Sequence, residues 1–170
     1  MNDSNTELDD RLRKVELLIL DVDGVLTDGK LYYGSGGLEL KAFNVQDGHA
    51  IKMLQAEIPV AIISGRTSDV VERRAAELGI AHLFQGVDDK PVALAELSKR
   101  TGIAPGRIAH MGDDIPDIAL FAEVGLAIAP ASAHPEVLAQ ADLVTQLAGG
   151  EGAVREVCQR LLVAMDRWDP

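Results

Sequence analysis

Cysteine is almost missing from this chain. The single thiol, Cys158, excludes an intrachain disulfide and a cysteine zinc cluster. It falls in an apolar stripe at helical spacing (Val154, Val157, Cys158, Leu161, Leu162, Met165), where a buried core thiol is the simplest reading. Positive charge is also scarce: 16 lysines and arginines face 27 aspartates and glutamates, for a net charge of −11. That balance argues against a nucleic-acid backbone or an anionic membrane as the main partner. A small anionic substrate stays possible if local positive charge meets it. No apolar run approaches the ~18 residues of a membrane span. The polar leader, residues 1–15, lacks the apolar core of a signal peptide. Repeats, low-complexity tracts and linkers are missing too. The expectation is one cytoplasmic domain over residues 1–170, long enough to bury a single core.

What is present is an alternation of short apolar runs with amphipathic segments. Strands are expected at 17–22, 59–64, 81–85, 107–112, 125–129 and 142–145. Between them come helices at 48–57, 68–79, 91–102, within 114–125, at 134–141 and at 152–165. Ser68 is the candidate N-cap of the second helix. Residues 31–43 read as a hairpin turning at Gly34–Gly37. The alternation predicts an α/β fold with a doubly wound, mainly parallel sheet. Such sheets bind ligands at the carboxyl ends of their strands.

Four strand exits carry polar residues that a core does not need. The first is Asp21-Val22-Asp23-Gly24; in extended chain its two carboxylates share a face and repel unless a cation or proton separates them. The second, Ser64-Gly65-Arg66, offers a hydroxyl and backbone amides to an anion. At the third, Lys90 stands before a helix start, where the dipole disfavours a cation and a phosphate would explain it. The fourth, Gly112-Asp113-Asp114-Ile115-Pro116-Asp117, has the oxygen donors of a hard-cation site. Each has an ordinary alternative: a solvated turn, a helix cap, a loop lysine, first-turn acids. Their order along the chain, each after a buried strand, is what four ordinary readings do not explain together.

DVDGVLTDG, SGR, the lysine before a helix and GDDIPD resemble the four motifs of the haloacid dehalogenase superfamily, over residues from about 17 to 165. The resemblance implies a Rossmann-like phosphatase. It makes Asp21 the nucleophile that becomes an aspartyl phosphate and Asp23 the general acid–base. Ser64, Gly65 and Lys90 would hold the phosphoryl group. Mg²⁺ would lie on Asp21, the Asp23 carbonyl and Asp113, supported by Asp114 and Asp117. Physical chemistry agrees: a carboxylate attacking a phosphate dianion needs nearby cations to offset repulsion. Splitting the displacement through an acyl phosphate replaces one hard step by two easier ones.

Members of that superfamily usually carry a cap domain between motifs. Here Asp23 and Ser64 are 41 positions apart, and Ser64 and Lys90 are 26, too few for one. KAFNVQDGHAIKML (41–54), AHPEVLAQADLVT (133–145) and AGGEGAVREVC (148–158) resemble the cap-less 3-deoxy-D-manno-octulosonate 8-phosphate (KDO 8-phosphate) phosphatases. Those are tetramers serving lipopolysaccharide synthesis. AGGEGAVREVC lies far along the chain from the catalytic motifs and marks the subfamily. The resemblance implies a homotetramer with active sites at subunit interfaces, and the apolar hairpin 31–43 is the obvious cover for a neighbouring site. Members often have arginine where this chain has Gln46 and Glu151. The family's C-terminal tail can reach a neighbouring site, but only residues 166–170 follow the last expected helix. Arg66, Arg74 and His49 are candidates for the substrate's sugar acid; His82, His110 and His134 read as structural. One alternative substrate is a nine-carbon sialic-acid-type phosphate. A more distant alternative is a phosphoacceptor signalling domain, but its acceptor would sit on the third strand rather than the first.

Overall fold

The computed structural model of the chain describes residues 3–169. Six parallel strands form one sheet in the order β5-β4-β1-β6-β7-β8. They are β1 (Leu17–Leu20), β4 (Val60–Ile63), β5 (His82–Phe84), β6 (Ile108–Met111), β7 (Leu126–Ala129) and β8 (Leu143–Val144). The central strand β1 bonds β4 on one side and β6 on the other, with Leu18 opposite both Val60 and Ala109. The chain winds outward to β5, then returns to β6, so the strand order reverses beside β1. That reversal opens the crevice where parallel sheets bind ligands.

Strand alternation divides the core. Leu18 and Leu20 face a cluster shared with helices α2 (Val45–Leu54), α3 (Asp69–Leu78) and α7 (Ala153–Ala164). Leu17 and Ile19 face the other side, against Leu94 and Leu97 of α4 (Lys90–Thr101) and Leu120 of α5 (Ile118–Phe121). Every residue of β1 is buried, as the continuous apolar run requires of a strand covered on both faces. Cys158 is fully buried in α7, and burial pushes its thiol far above the ordinary cysteine value, so it stays a neutral structural thiol. No cap domain interrupts this fold among the described residues. The hairpin pairs β2 (Tyr32–Tyr33) with β3 (Glu39–Leu40), turning through Gly36 and Gly37 at φ 75° and 81°.

Several expectations shift. The polar leader is a helix, α1 (Asp3–Leu12), over most of its length; Met1, Asn2 and the tail residue Pro170 lie outside the described residues. Leu12 packs into the core, and Arg11 clamps the Gly125 carbonyl and Asp142 at 2.6 Å each. Helix α2 starts before its expected position because Asn44 caps it, accepting from the amides of Gln46 and Asp47. The helix expected within 114–125 shrinks to a 3₁₀ turn at Ile115–Asp117 and the four residues of α5. The helix stops at Phe121 with Ala122 as its cap, and three residues on Gly125 lies against the Gly106 carbonyl, where no side chain fits.

Candidate active site

The carboxyl ends of β1, β4 and β6 meet at a cleft of about 600 Å³. Asp21 extends β1 by one more bond, its amide donating to the Met111 carbonyl at 3.0 Å. The chain then turns: the amides of Val25, Leu26 and Thr27 all donate to the Val22 carbonyl, with Gly24 at φ 87°. Asp21 and Asp23 both line the cleft, brought there by this turn rather than by continued strand alternation. No described hydrogen bond ends on the Asp23 carbonyl.

Ser64, Gly65 and Arg66 line the cleft from β4, and Lys90, Asp114 and Asp117 from the opposite wall. Lys90 is the first residue of α4, whose cap is Asp89. Its buried ammonium reaches inward, 3.1 Å from Asp21 Oδ2 and 2.5 Å from Asp117 Oδ1. Burial opposes its charge, yet Asp21 and Asp117 more than compensate, so its pKa is raised.

The three acids of GDDIPD divide the work. Asp117 is buried and saturated. Its Oδ1 accepts from Lys90 and from His110 Nε2 at 2.9 Å; its Oδ2 accepts from the amides of Asp113 and Asp114 at 3.0 and 3.2 Å. Burial alone would raise its pKa, but the hydrogen bond and charge of His110, then Lys90, hold it well below the usual carboxylate range. His110, expected to be merely structural, is thus the support of a site residue. Asp114 caps the 3₁₀ turn and accepts from Ile115 at 2.8 Å.

Asp113 is the reverse of Asp117. Its Oδ1 is buried with no hydrogen-bond partner. Burial, then Asp21, Asp117 and Asp114, push its carboxyl up to about 7. Asp21 is raised as well, by burial and then Asp117, with Lys90 opposing. Oxygens of Asp21, Asp113 and Asp117 lie within 4.8 Å of one another. Asp117 is spent on four donors and Asp21 on the Val22 amide and Lys90, so the unsatisfied oxygen is Asp113 Oδ1. An orphaned carboxylate oxygen amid uncompensated negative charge fits a divalent cation.

Asp23 meets groups that sequence reasoning missed. Lys41, just after β3, bonds Asp23 Oδ1, and Arg66 Nε stands 3.6 Å from Oδ2. Glu39 faces both cations, at 3.6 Å from Lys41 and 3.5 Å from Arg66. Tyr33 accepts a bond from Arg66 at 3.3 Å. The signal was the pair Glu39 and Lys41 in an otherwise apolar hairpin. Ser68 stands at the N-cap of α3 but donates to Glu39 Oε2 at 2.5 Å instead of capping.

Other candidates lie outside this cleft. Arg74 packs over Phe43 and pairs with Glu77, and His49 is exposed on α2. Gln46 and Glu151 do not line it either. The glycine-rich motif of residues 148–158, distant in sequence, is adjacent in space. A Cβ on Gly149 would overlap the Gly24 carbonyl, and the Gly150 amide donates to the Val25 carbonyl at 3.0 Å. That motif buttresses the loop carrying Asp23.

Comparison with known proteins agrees with this geometry. A profile of haloacid dehalogenase-like hydrolases matches residues 79–157. The 3-deoxy-D-manno-octulosonate 8-phosphate phosphatase of Escherichia coli K12 is 51% identical over 160 residues, 94% of this chain and 85% of the relative. The crystal structure of the Yersinia pestis phosphatase of the same name superposes with a TM-score of 0.93 at 48% identity, over 98% of this chain and 89% of that one. The Moraxella catarrhalis phosphatase, solved with magnesium, phosphate and KDO, gives 0.92 at 44% identity, over 95% and 93%. Fold, cleft and identity over nearly the whole length converge: the chain belongs to the haloacid dehalogenase-like hydrolases, within the 3-deoxy-D-manno-octulosonate 8-phosphate phosphatases.

Proposed function

We infer that this chain is a Mg²⁺-dependent phosphatase that hydrolyses KDO 8-phosphate to KDO and inorganic phosphate. The observation that carries the reading is the Asp21–Lys90–Asp117 cluster at the strand ends, in a chain this similar to KDO 8-phosphate phosphatases.

Asp21 is the nucleophile. Its carboxylate attacks phosphorus, the P–O bond to C8 of the sugar breaks, and an aspartyl phosphate forms. Asp23 gives its proton to the departing alkoxide, then takes one from the water that attacks the aspartyl phosphate. Phosphate leaves and Asp21 is restored. Lys90 stabilises negative charge on the transferring phosphoryl oxygens, with the Ser64 hydroxyl and the Gly65 amide on the other side. Asp21, Asp113 and the Asp23 carbonyl would hold Mg²⁺. When bound, the ion neutralises the converging carboxylate and phosphate charge. Asp117 keeps Lys90 aimed at Asp21 and holds the Asp113 amide; Asp114 caps the turn between them.

Arg66, on the open side, meets the sugar acid. The proposed assembly is a cytoplasmic homotetramer serving lipopolysaccharide synthesis. Support comes from the hairpin, where Leu31, Tyr33, Leu38 and Leu40 are exposed together.

Phosphate release across eight- and nine-carbon sugar acid phosphates and neutral sugar phosphates tests the reading, with Mg²⁺ and with chelator. KDO 8-phosphate should give the highest kcat/KM, abolished by chelator. Equal turnover of a neutral sugar phosphate, or full activity in chelator, would overturn it.

A further inference from the structure

We propose that Lys41 is a positioning residue: from the hairpin, it fixes the Asp23 carboxyl where it can exchange a proton with the leaving oxygen. The inference rests on the acid–base assignment of Asp23 above. The Lys41 side chain is only 2% exposed, and its ammonium bonds Asp23 Oδ1. Taking an ammonium out of water is costly unless a partner compensates. Glu39, two residues away on the same hairpin, stands at 3.6 Å, outside hydrogen-bond distance. The hydrogen bond goes instead to Asp23, eighteen residues earlier and on the catalytic turn.

Lys41 does not line the cleft, so it is not a second phosphate ligand like Lys90. What it can do is remove rotational freedom. An aspartate on a turn has several staggered rotamers open to it. With Oδ1 bonded to Lys41 and Oδ2 facing Arg66, one remains. The two cations are not equivalent. Arg66 is 45% exposed and shares itself with Glu39 and Tyr33, so an incoming anion can draw it away. Lys41 stays. The general acid–base is thereby anchored to the hairpin, and displacing the hairpin displaces it.

Lys41→Met keeps the apolar stem and removes the charge. The readout is kcat/KM, which covers steps up to the first P–O cleavage, for KDO 8-phosphate and for p-nitrophenyl phosphate. The sugar alkoxide needs a proton to leave; p-nitrophenolate does not. Lys41→Met should lower kcat/KM about 10–100-fold for the sugar ester. For the aryl ester the loss should stay within about 3-fold, because that cleavage does not need the acid. Lys41→Arg should recover most of the sugar-ester loss. Circular dichroism checks folding; if Lys41→Met is unfolded, Lys41→Gln is read by the same ratio. Equal losses on both esters in a folded variant, or none on either, overturn the positioning role alone. A wild-type protein that releases phosphate from neither ester overturns the phosphatase reading with it.

Discussion

The two ends of the cleft are built differently. At the closed end, Lys90, Asp117 and His110 have side chains at most 5% exposed, and Asp117 makes all the bonds its oxygens can take. At the open end, Arg66 is nearly half exposed and shares its guanidinium among Asp23, Glu39 and Tyr33. On the proposed reading the closed end serves the phosphoryl group, identical in every phosphate ester, so it can be rigid and pre-aimed. On the same reading the open end meets the part of the substrate that varies. There the charges pair with one another until a ligand replaces a partner.

The largest effect should come from the closed end. Asp21→Asn removes the nucleophile while keeping its shape. Phosphate release should fall by at least about 10⁴-fold, with the thermal midpoint retained or raised, since a buried carboxylate under like-charge repulsion is lost. Activity near the wild-type level would break the assignment of chemistry to this end. Asp117→Asn comes next. It leaves Lys90 and His110 without their shared charge, so stability should drop by about 3–5 kcal/mol. Activity should fall roughly 10–100-fold through misplaced Lys90 and Asp113. Denaturant unfolding and steady-state kinetics read the two losses, and a loss of only one would show that aim and stability are separable there.

How much of this was legible follows from what each residue answers to. Asp21, Ser64 and Asp113 follow buried apolar strands and Lys90 opens a helix, and such junctions in a parallel sheet are placed largely by local sequence. The division of labour in Asp113-Asp114-Asp117 was not readable. Three acids in five residues look alike until the turn aims two amides, a lysine and a histidine at one of them. Lys41 and Glu39 were hidden for a different reason: where a hairpin folds back is a long-range fact. Residues 148–158 touch the catalytic turn across 125 positions of chain, a contact no window of sequence contains. The leader's helix was missed because its polar composition masked the one face that packs, at Leu8 and Leu12.

A subtler contrast concerns pH. Asp113 sits near 7 because burial and neighbouring carboxylates disfavour its charge. A carboxyl raised in the folded state contributes stability below its unfolded value, near 4, and loses it as pH climbs through about 7. Without Mg²⁺, the protein should therefore lose stability between pH 5 and pH 8 on this group's account. Mg²⁺ binds the ionised form, so its stabilisation should be larger at pH 8. At about 100 times its Kd the ion adds roughly 2.7 kcal/mol, on the order of 5–10 °C for a chain this long. Equal shifts of the midpoint at both pH values would place the ion away from Asp113.

The smallest effect on stability should come from the open end, and there the comparison is sharpest. Arg66→Gln removes a cation that is itself nearly half exposed, so unfolding free energy should change by less than about 1 kcal/mol. Its effect belongs to binding. If Arg66 meets the sugar acid, KM for KDO 8-phosphate should rise about 10-fold or more, while a neutral sugar phosphate is handled as before. Asp23 keeps Lys41 on its other oxygen, so kcat should move little. A fall in kcat with KM unchanged would mean that Arg66 serves the acid–base residue rather than the substrate. The boundary between the two ends would then run outside Arg66, on the hairpin itself.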